Sequence, residues 1–316
     1  MSTEPGDAPR SRTFGPAALR ERGRNMSPTM RGIAWAVAAG VQFSLMNTIA
    51  RKLTLELDPF QTQFLRYLMG LIVMLPLILR AGIAAYVPNG IGGQLWRGVV
   101  HTAGLMLWFS ALPHIPLATM TALGFTTPIF IMVGAAWLLK EKISGARWLA
   151  AVIGFSGVLV VVWPRLTLDG GFYTLVMLAS SPVFAASFLI TKALTRRDNS
   201  EVIVVWQSIM VSLFTLPLAV YFWSWPTPTQ WMWFVVAGVL GSAGHYSLTQ
   251  SFRVADISAT QSVRFLDLIW AALLGLMVFG DLPSHWTIAG GLIIFASTVW
   301  IARHEAKPRP GTKPSS

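Results

Sequence analysis

The chain has 316 residues, of which 54% are hydrophobic and only 12% charged. A soluble domain carries about a quarter charged residues, so soluble enzymes, secreted disulfide scaffolds and disordered proteins are excluded, and the absence of cysteine removes disulfides and thiolate chemistry as well. The formal net charge of +11 would suggest nucleic acid in a soluble chain, but here its distribution follows membrane orientation and no nucleic-acid partner is expected.

Residues 1–30 hold Pro, Gly, Ser and the basic side chains Arg10, Arg12, Arg20, Arg22 and Arg24, with no apolar run among them. This segment reads as a disordered basic arm and not as a signal peptide, and Met26 is an alternative start to Met1. Ten apolar segments follow, at about 31–50, 60–80, 95–113, 115–139, 146–163, 171–194, 202–223, 230–252, 256–280 and 285–303. A span needs roughly 20 apolar residues, which these segments approach. Pro59, Pro88-Asn89-Gly90, Pro113 to Pro116, Pro164, Gly170-Gly171, Pro226, Pro228 and Pro283 punctuate them. The Pro/Lys-rich residues 304–316 read as a disordered tail. The expected fold class is an all-α polytopic membrane protein of ten transmembrane helices; the period-two alternation of an outer-membrane barrel is absent.

Basic residues orient the spans. With the N-terminus inside, nineteen of the 24 Lys and Arg fall on the cytoplasmic side, Arg97 among them. Arg51, Lys52 and Arg165 fall outside, and Arg66 and Arg264 lie within spans. Both termini are therefore expected in the cytoplasm of a cell with this protein in its inner membrane.

The sequence matches itself at an offset of 140 residues: Ala118 with Ser258, Phe125 with Phe265, Glu141 with Asp281, Ser144 with Ser284, Lys52 with Lys192 and Gly104 with Gly244. Two five-helix halves result, over 31–166 and 171–303. Five is odd, so the second half enters the membrane upside down. Inverted repeats of this kind build secondary transporters, with the substrate held near the midplane between the halves.

Ten spans in two halves resemble the EamA-type members of the drug/metabolite transporter superfamily. The residues that carry the resemblance run from Pro116 through Pro128 to Glu141, with an echo from Ala255 to Asp281, and include Phe64-Leu65-Arg66-Tyr67 in span 2. Two departures are Leu268 where the first half has Pro128, and Asp281 where Glu is commoner. The resemblance implies efflux of amino acids or drugs, or uptake of a vitamin such as riboflavin or of S-adenosylmethionine.

No GxxxxGK[ST] phosphate loop and no HExxH metal set occurs, so neither ATP hydrolysis nor a cofactor or metal is expected, and the protein does not read as an enzyme. Function then rests on polar residues inside spans. In span 9, Arg264 lies roughly 12 Å and Asp267 roughly 16 Å from the inner end, near the middle of a core about 30 Å thick. The two are three residues apart and pair on one helix face. Arg264 offers a planar fork to an anionic group of the cargo, or else the pair locks span 9 to its neighbours. His245, in span 8, sits at the same depth as Arg264, which places His245, Tyr246 and Arg264 together. The first half supplies Gln42 and Trp108 at similar depth, His101 shares a face with Trp108, and Gln261 is three residues from Arg264. Most of the fourteen tryptophans lie at span ends as interfacial anchors.

The expected substrate site is thus Gln42, Trp108, His245, Tyr246, Gln261 and Arg264. Asp267, His245 and Arg66 are the ion-pair and coupling candidates, with Arg66 expected to bond neighbouring helices and His245 to carry a proton if one is coupled. Trp, Tyr, His and Arg suit a planar, aromatic or zwitterionic solute. The sequence is read as a secondary transporter of a small organic metabolite, acting as a monomer or homodimer by alternating access in the lipid bilayer. The alternatives are a non-transporting membrane scaffold subunit and a lipid-head-group enzyme.

Overall fold

A computed structural model describes residues 26–124, 126–168, 172–282 and 284–306. The expected arm and tail lie for the most part outside them, although Pro28–Met30 and His304–Ala306 are already helical. The described residues form helices and connecting turns without strands. The helical segments are α1 (Pro28–Thr54), α2 (Pro59–Ala81), α3 (Ile91–Ala111), α4 (Leu117–Gly124 and Thr127–Leu138), α5 (Gly145–Leu168), α6 (Phe172–Leu194), α7 (Ser200–Tyr221) and α8 (Pro228–Val254). The last two are α9 (Ile257–Gln261, a 3-10 turn Ser262–Leu266, and Asp267–Phe279) and α10 (His285–Ala306).

Local chemistry sets several of the starts. Proline has no N–H to lose in a first turn, and the residue before it offers a side-chain oxygen to the free amides that follow. Ser27-Pro28, Asp58-Pro59 and Thr227-Pro228 open α1, α2 and α8 in this way. Asp58 accepts from the Phe60 amide at 2.8 Å, and Thr227 and Gln230 cap one another reciprocally.

Among the described residues, α1, α2, α4, α6 and α7 are long and apolar enough to cross a membrane by length and composition. The distribution of polarity agrees with a lipid surround. Leu77, Trp137 and Met277 are exposed, while Gln61, Gln63, Ser180, Ser187 and Ser251 are buried. Small and polar residues between helices with apolar residues outside are what a bilayer selects, because lipid offers no hydrophobic drive between helices. Gly70 and Gly238 show the effect most directly. A Cβ on Gly238 would sit 2.7 Å from the Gly70 nitrogen, so α2 and α8 touch through their backbones.

The helix pairs obey the internal repeat. A 140-residue shift turns α1 into α6, α2 into α7, α3 into α8, α4 into α9 and α5 into α10. α1 packs on α8 as its image α3 packs on α6, α4 on α6 as its image α1 on α9, and α2 on α8 as its image α7 on α3. Two further large interfaces, α2 with α7 and α5 with α10, are each their own image. Packing is therefore two-fold symmetric, and each large interface joins the first half to the second. The acidic residues at the ends of α4 and α9 serve the same purpose. Glu141 accepts from the amides of Ile257 and Ser258 at the start of α9, and its repeat partner Asp281 pairs with Arg51 at 2.7 Å.

Candidate functional site

The fourth helix of each half is broken, and both breaks face one cavity. In α4 the break falls just before Pro128, whose ring excludes the amide hydrogen that would continue the helix. At the break Thr126 donates to the Leu123 carbonyl from both its amide, at 3.2 Å, and its hydroxyl, at 2.9 Å. In α9 the 3-10 turn over Ser262–Leu266 does the same without a proline, so Leu268 in place of a second proline does not straighten this helix. Unwound backbone at membrane depth is tolerated where it lines a cavity. Gly124, Thr127, Arg264 and Asp267 all line this one, and they are repeat equivalents: Gly124 with Arg264, Thr127 with Asp267. At the two breaks the charged side chains lie on the second half alone.

Both halves build the remaining walls. Aromatic side chains dominate, with Phe43 from α1, Tyr67 from α2, Trp108 and Phe109 from α3, and Phe184 and Phe188 from α6. Arg264 holds its guanidinium carbon 5.3 Å from the centre of the Phe188 ring, and its Nε is 3.8 Å from an Asp267 oxygen. That separation is a loose ion pair, and the Arg264 Nη1 is buried with no hydrogen-bond partner. Asp267 opens the second piece of α9, where the helix dipole favours a carboxylate.

At the centre sits a polar knot. The Tyr67 hydroxyl is 3.1 Å from Nε2 of both His101 and His245. Gln207 donates its amide to the Tyr67 oxygen at 3.2 Å, and that amide lies 2.7 Å from His101 Nε2. The Gln207 carbonyl accepts from Arg97 Nη2 at 2.5 Å, which fixes the amide's orientation toward the histidines. Arg97 also donates to Thr191 at 2.5 Å and to the Ile203 carbonyl at 3.2 Å. It is 2% exposed, so this arginine, expected among the cytoplasmic-side charges, is an internal tie between the halves.

Of the residues expected at the site, the structure brings Trp108, His245, Arg264, Asp267 and Arg66 to one cavity. Gln42, Tyr246 and Gln261 are not among its lining residues. Tyr246 turns away to meet Trp35 edge-on and to accept from Gln250 at 2.8 Å. Gln261 is buried and donates to the Ile257 carbonyl at 2.9 Å. The Gln42 carbonyl oxygen is buried without a partner. Arg66 bonds a neighbouring helix, as expected, but the acceptor is the Met46 sulfur of α1. It lies 3.9 Å over the Tyr67 ring and against the Met46 sulfur, and no bond to a neighbouring backbone carbonyl replaces them among the described residues. Tyr67 and Gln207 were missed, yet they are 140 residues apart. On helices that cross their own repeat images, equivalent residues meet at the axis, and this was a usable signal.

The sequence matches the EamA-like transporter family over residues 30–163 and again over 171–303. The chain belongs to that family. It is 32% identical to a riboflavin transporter of Rhizobium johnstonii, across 87% of this chain and 92% of the relative. It is 27% identical to an S-adenosylmethionine uptake transporter of Rickettsia prowazekii, across 88% and 94% of the two chains. A pseudopaline exporter of Pseudomonas aeruginosa is also 27% identical, across 86% and 96%. A solved crystal structure superposes with a TM-score of 0.69 over 87% of this chain and 99% of its own, at 17% identity, and shares the fold. This EamA-like protein is a multi-pass bacterial membrane transporter of a small metabolite rather than an enzyme.

Proposed function

We propose that this transporter moves a planar, aromatic metabolite by alternating access, and that the cargo lies in the cavity lined by Trp108, Phe184, Phe188, His245, Arg264 and Asp267. The observation that carries the reading is the composition of that cavity. Aromatic faces from both halves surround an arginine with a free Nη1, and aromatic rings stack on planar solutes while a guanidinium fork binds an acidic group. The similarity to a riboflavin transporter favours a fused heteroaromatic ring over an aliphatic amino acid.

All ten helical segments span the inner membrane in this reading, with both termini in the cytoplasm. Reporters inserted between Thr195 and Asn199 or fused after Arg303 should read the cytoplasm, and one at Pro226–Thr229 the periplasm. A periplasmic reading at the first position would contradict both the ten spans and the inversion of the halves.

The coupling ion in this reading is a proton, carried by the knot at Tyr67. In the neutral knot Gln207 donates to His101 Nε2 and Tyr67 donates to His245 Nε2. If His245 gains a proton on Nε2, it donates to the Tyr67 oxygen, and the hydroxyl hydrogen turns to share the single lone pair of His101 Nε2 with the Gln207 amide. A second proton, on His101, would leave donors facing donors.

Binding is the direct test. Purified protein should unfold at a higher temperature with riboflavin, riboflavin 5′-phosphate or S-adenosylmethionine, because a ligand of the folded state stabilises it by mass action. No shift with any ring-bearing ligand would contradict the reading.

A further inference from the structure

Among the described residues, Arg66 is a buried cation without a counter-ion. It comes from α2 in the first half, lines the cavity and is 3% exposed. Its neighbours are the Tyr67 ring and the Met46 sulfur, both uncharged, and its Nε has no hydrogen-bond partner. No carboxylate forms an ion pair with it among the described residues. The space for its guanidinium is made by the second half: a Cβ on Gly241 of α8 would lie 2.7 Å from Arg66 Nη1. An intramembrane charge is costly wherever it has no partner, and this one is held in place by residues of both halves.

The cavity therefore presents two guanidinium groups, Arg66 and Arg264, against one carboxylate, Asp267. With His101 and His245 neutral, the lining carries a net charge of about +1 on simple counting of these side chains. A neutral ring would leave that charge uncompensated at the midplane.

We infer that the cargo bears a net negative charge, as a carboxylate or phosphate attached to the planar ring, and that Arg66 is the residue that selects for it. The inference rests on the planar-cargo reading above and adds the charge. Arg264, loosely held by Asp267, takes one side of the acidic group or the polar edge of the ring. Arg66 supplies the unmatched positive charge. Cargo release then returns the guanidinium to its aromatic and sulfur neighbours, which stabilise a cation weakly and do not compete as a fixed carboxylate would.

Riboflavin and riboflavin 5′-phosphate share a ring and differ in the phosphate, so they separate the two claims. Their dissociation constants for the purified wild-type protein should differ by about tenfold or more in favour of the phosphate ester. Arg66→Gln should erase the difference by weakening the phosphate ester, and Arg66→Lys should retain much of it, because the charge remains. The wild-type comparison needs no variant to fold. Equal affinity for the two flavins, or an Arg66→Gln protein that keeps the preference, overturns the inference while leaving the planar-cargo reading intact. Stabilisation by inorganic phosphate alone, with the flavins still equal, would mean a free anion beside a neutral cargo and overturns it too. Failure of both flavins to bind while S-adenosylmethionine binds overturns this inference alone, and failure of all three overturns the planar-cargo reading with it.

Discussion

Replacing Arg264 by lysine is expected to weaken cargo binding by about tenfold or more, while membrane abundance stays at the wild-type level. The reason lies in how the side chain is held. Its Nε is 3.8 Å from Asp267, its guanidinium carbon lies 5.3 Å from the centre of the Phe188 ring, and its Nη1 is buried with no hydrogen-bond partner among the described residues. A lysine ammonium still neutralises Asp267, so a role confined to that pair survives the change. It has no fork, so two parallel hydrogen bonds to an acidic group are lost. Unchanged affinity, or loss of the protein from the membrane, would make Arg264 a structural residue and leave recognition to the aromatic walls.

His245→Gln should uncouple the transporter without blocking it. Glutamine donates and accepts at a position where it can still bond Tyr67 and Gln207, so the knot between the halves is preserved. It does not titrate, so the proton that His245 takes in the proposed cycle has no site. Exchange of cargo between two equal pools needs no net proton movement and should persist. Accumulation of cargo against its gradient, driven by an imposed pH difference, should disappear. A variant that still accumulates cargo under that gradient would remove His245 from the coupling path.

Much of this arrangement was legible in the residues before the helices were packed. The 140-residue offset implies the symmetric contact pattern, because a shift that maps α1 onto α6 and α3 onto α8 must also map their contacts. Equal depth was enough to bring His245 and Arg264 to one cavity, since rise along a helix is fixed at about 1.5 Å per residue. Direction around a helix was harder. Gln42 and Tyr246 each lie one residue, about 100°, from Phe43 and His245, which face the cavity. Depth alone does not separate such neighbours; packing does, and in the structure Trp35 lies against Tyr246. That Arg66 bonds a neighbouring helix was legible, but the acceptor was not. A buried arginine usually finds carbonyls, but here Gly241 opens a space beside an aromatic ring and a sulfur instead. The bend in α9 was also hidden, because the sequence marker for a break, a proline, is present at 128 and replaced by leucine at 268. The backbone breaks at the equivalent place all the same, with Arg264 inside the turn and Asp267 at the start of the next helical piece.

Counterflow into proteoliposomes tests the central claim most directly, because it requires passage through the protein and is indifferent to the physiological direction. Vesicles preloaded with unlabelled riboflavin or riboflavin 5′-phosphate are diluted into a trace of the same compound carrying a label. The account predicts transient accumulation of label for at least one of the two, above vesicles without protein, and its loss in a variant with Trp108, Phe184 and Phe188 replaced by alanine. Label that enters no faster than into empty vesicles for both compounds, or that enters equally well after the aromatic walls are removed, would contradict a planar cargo carried in this cavity.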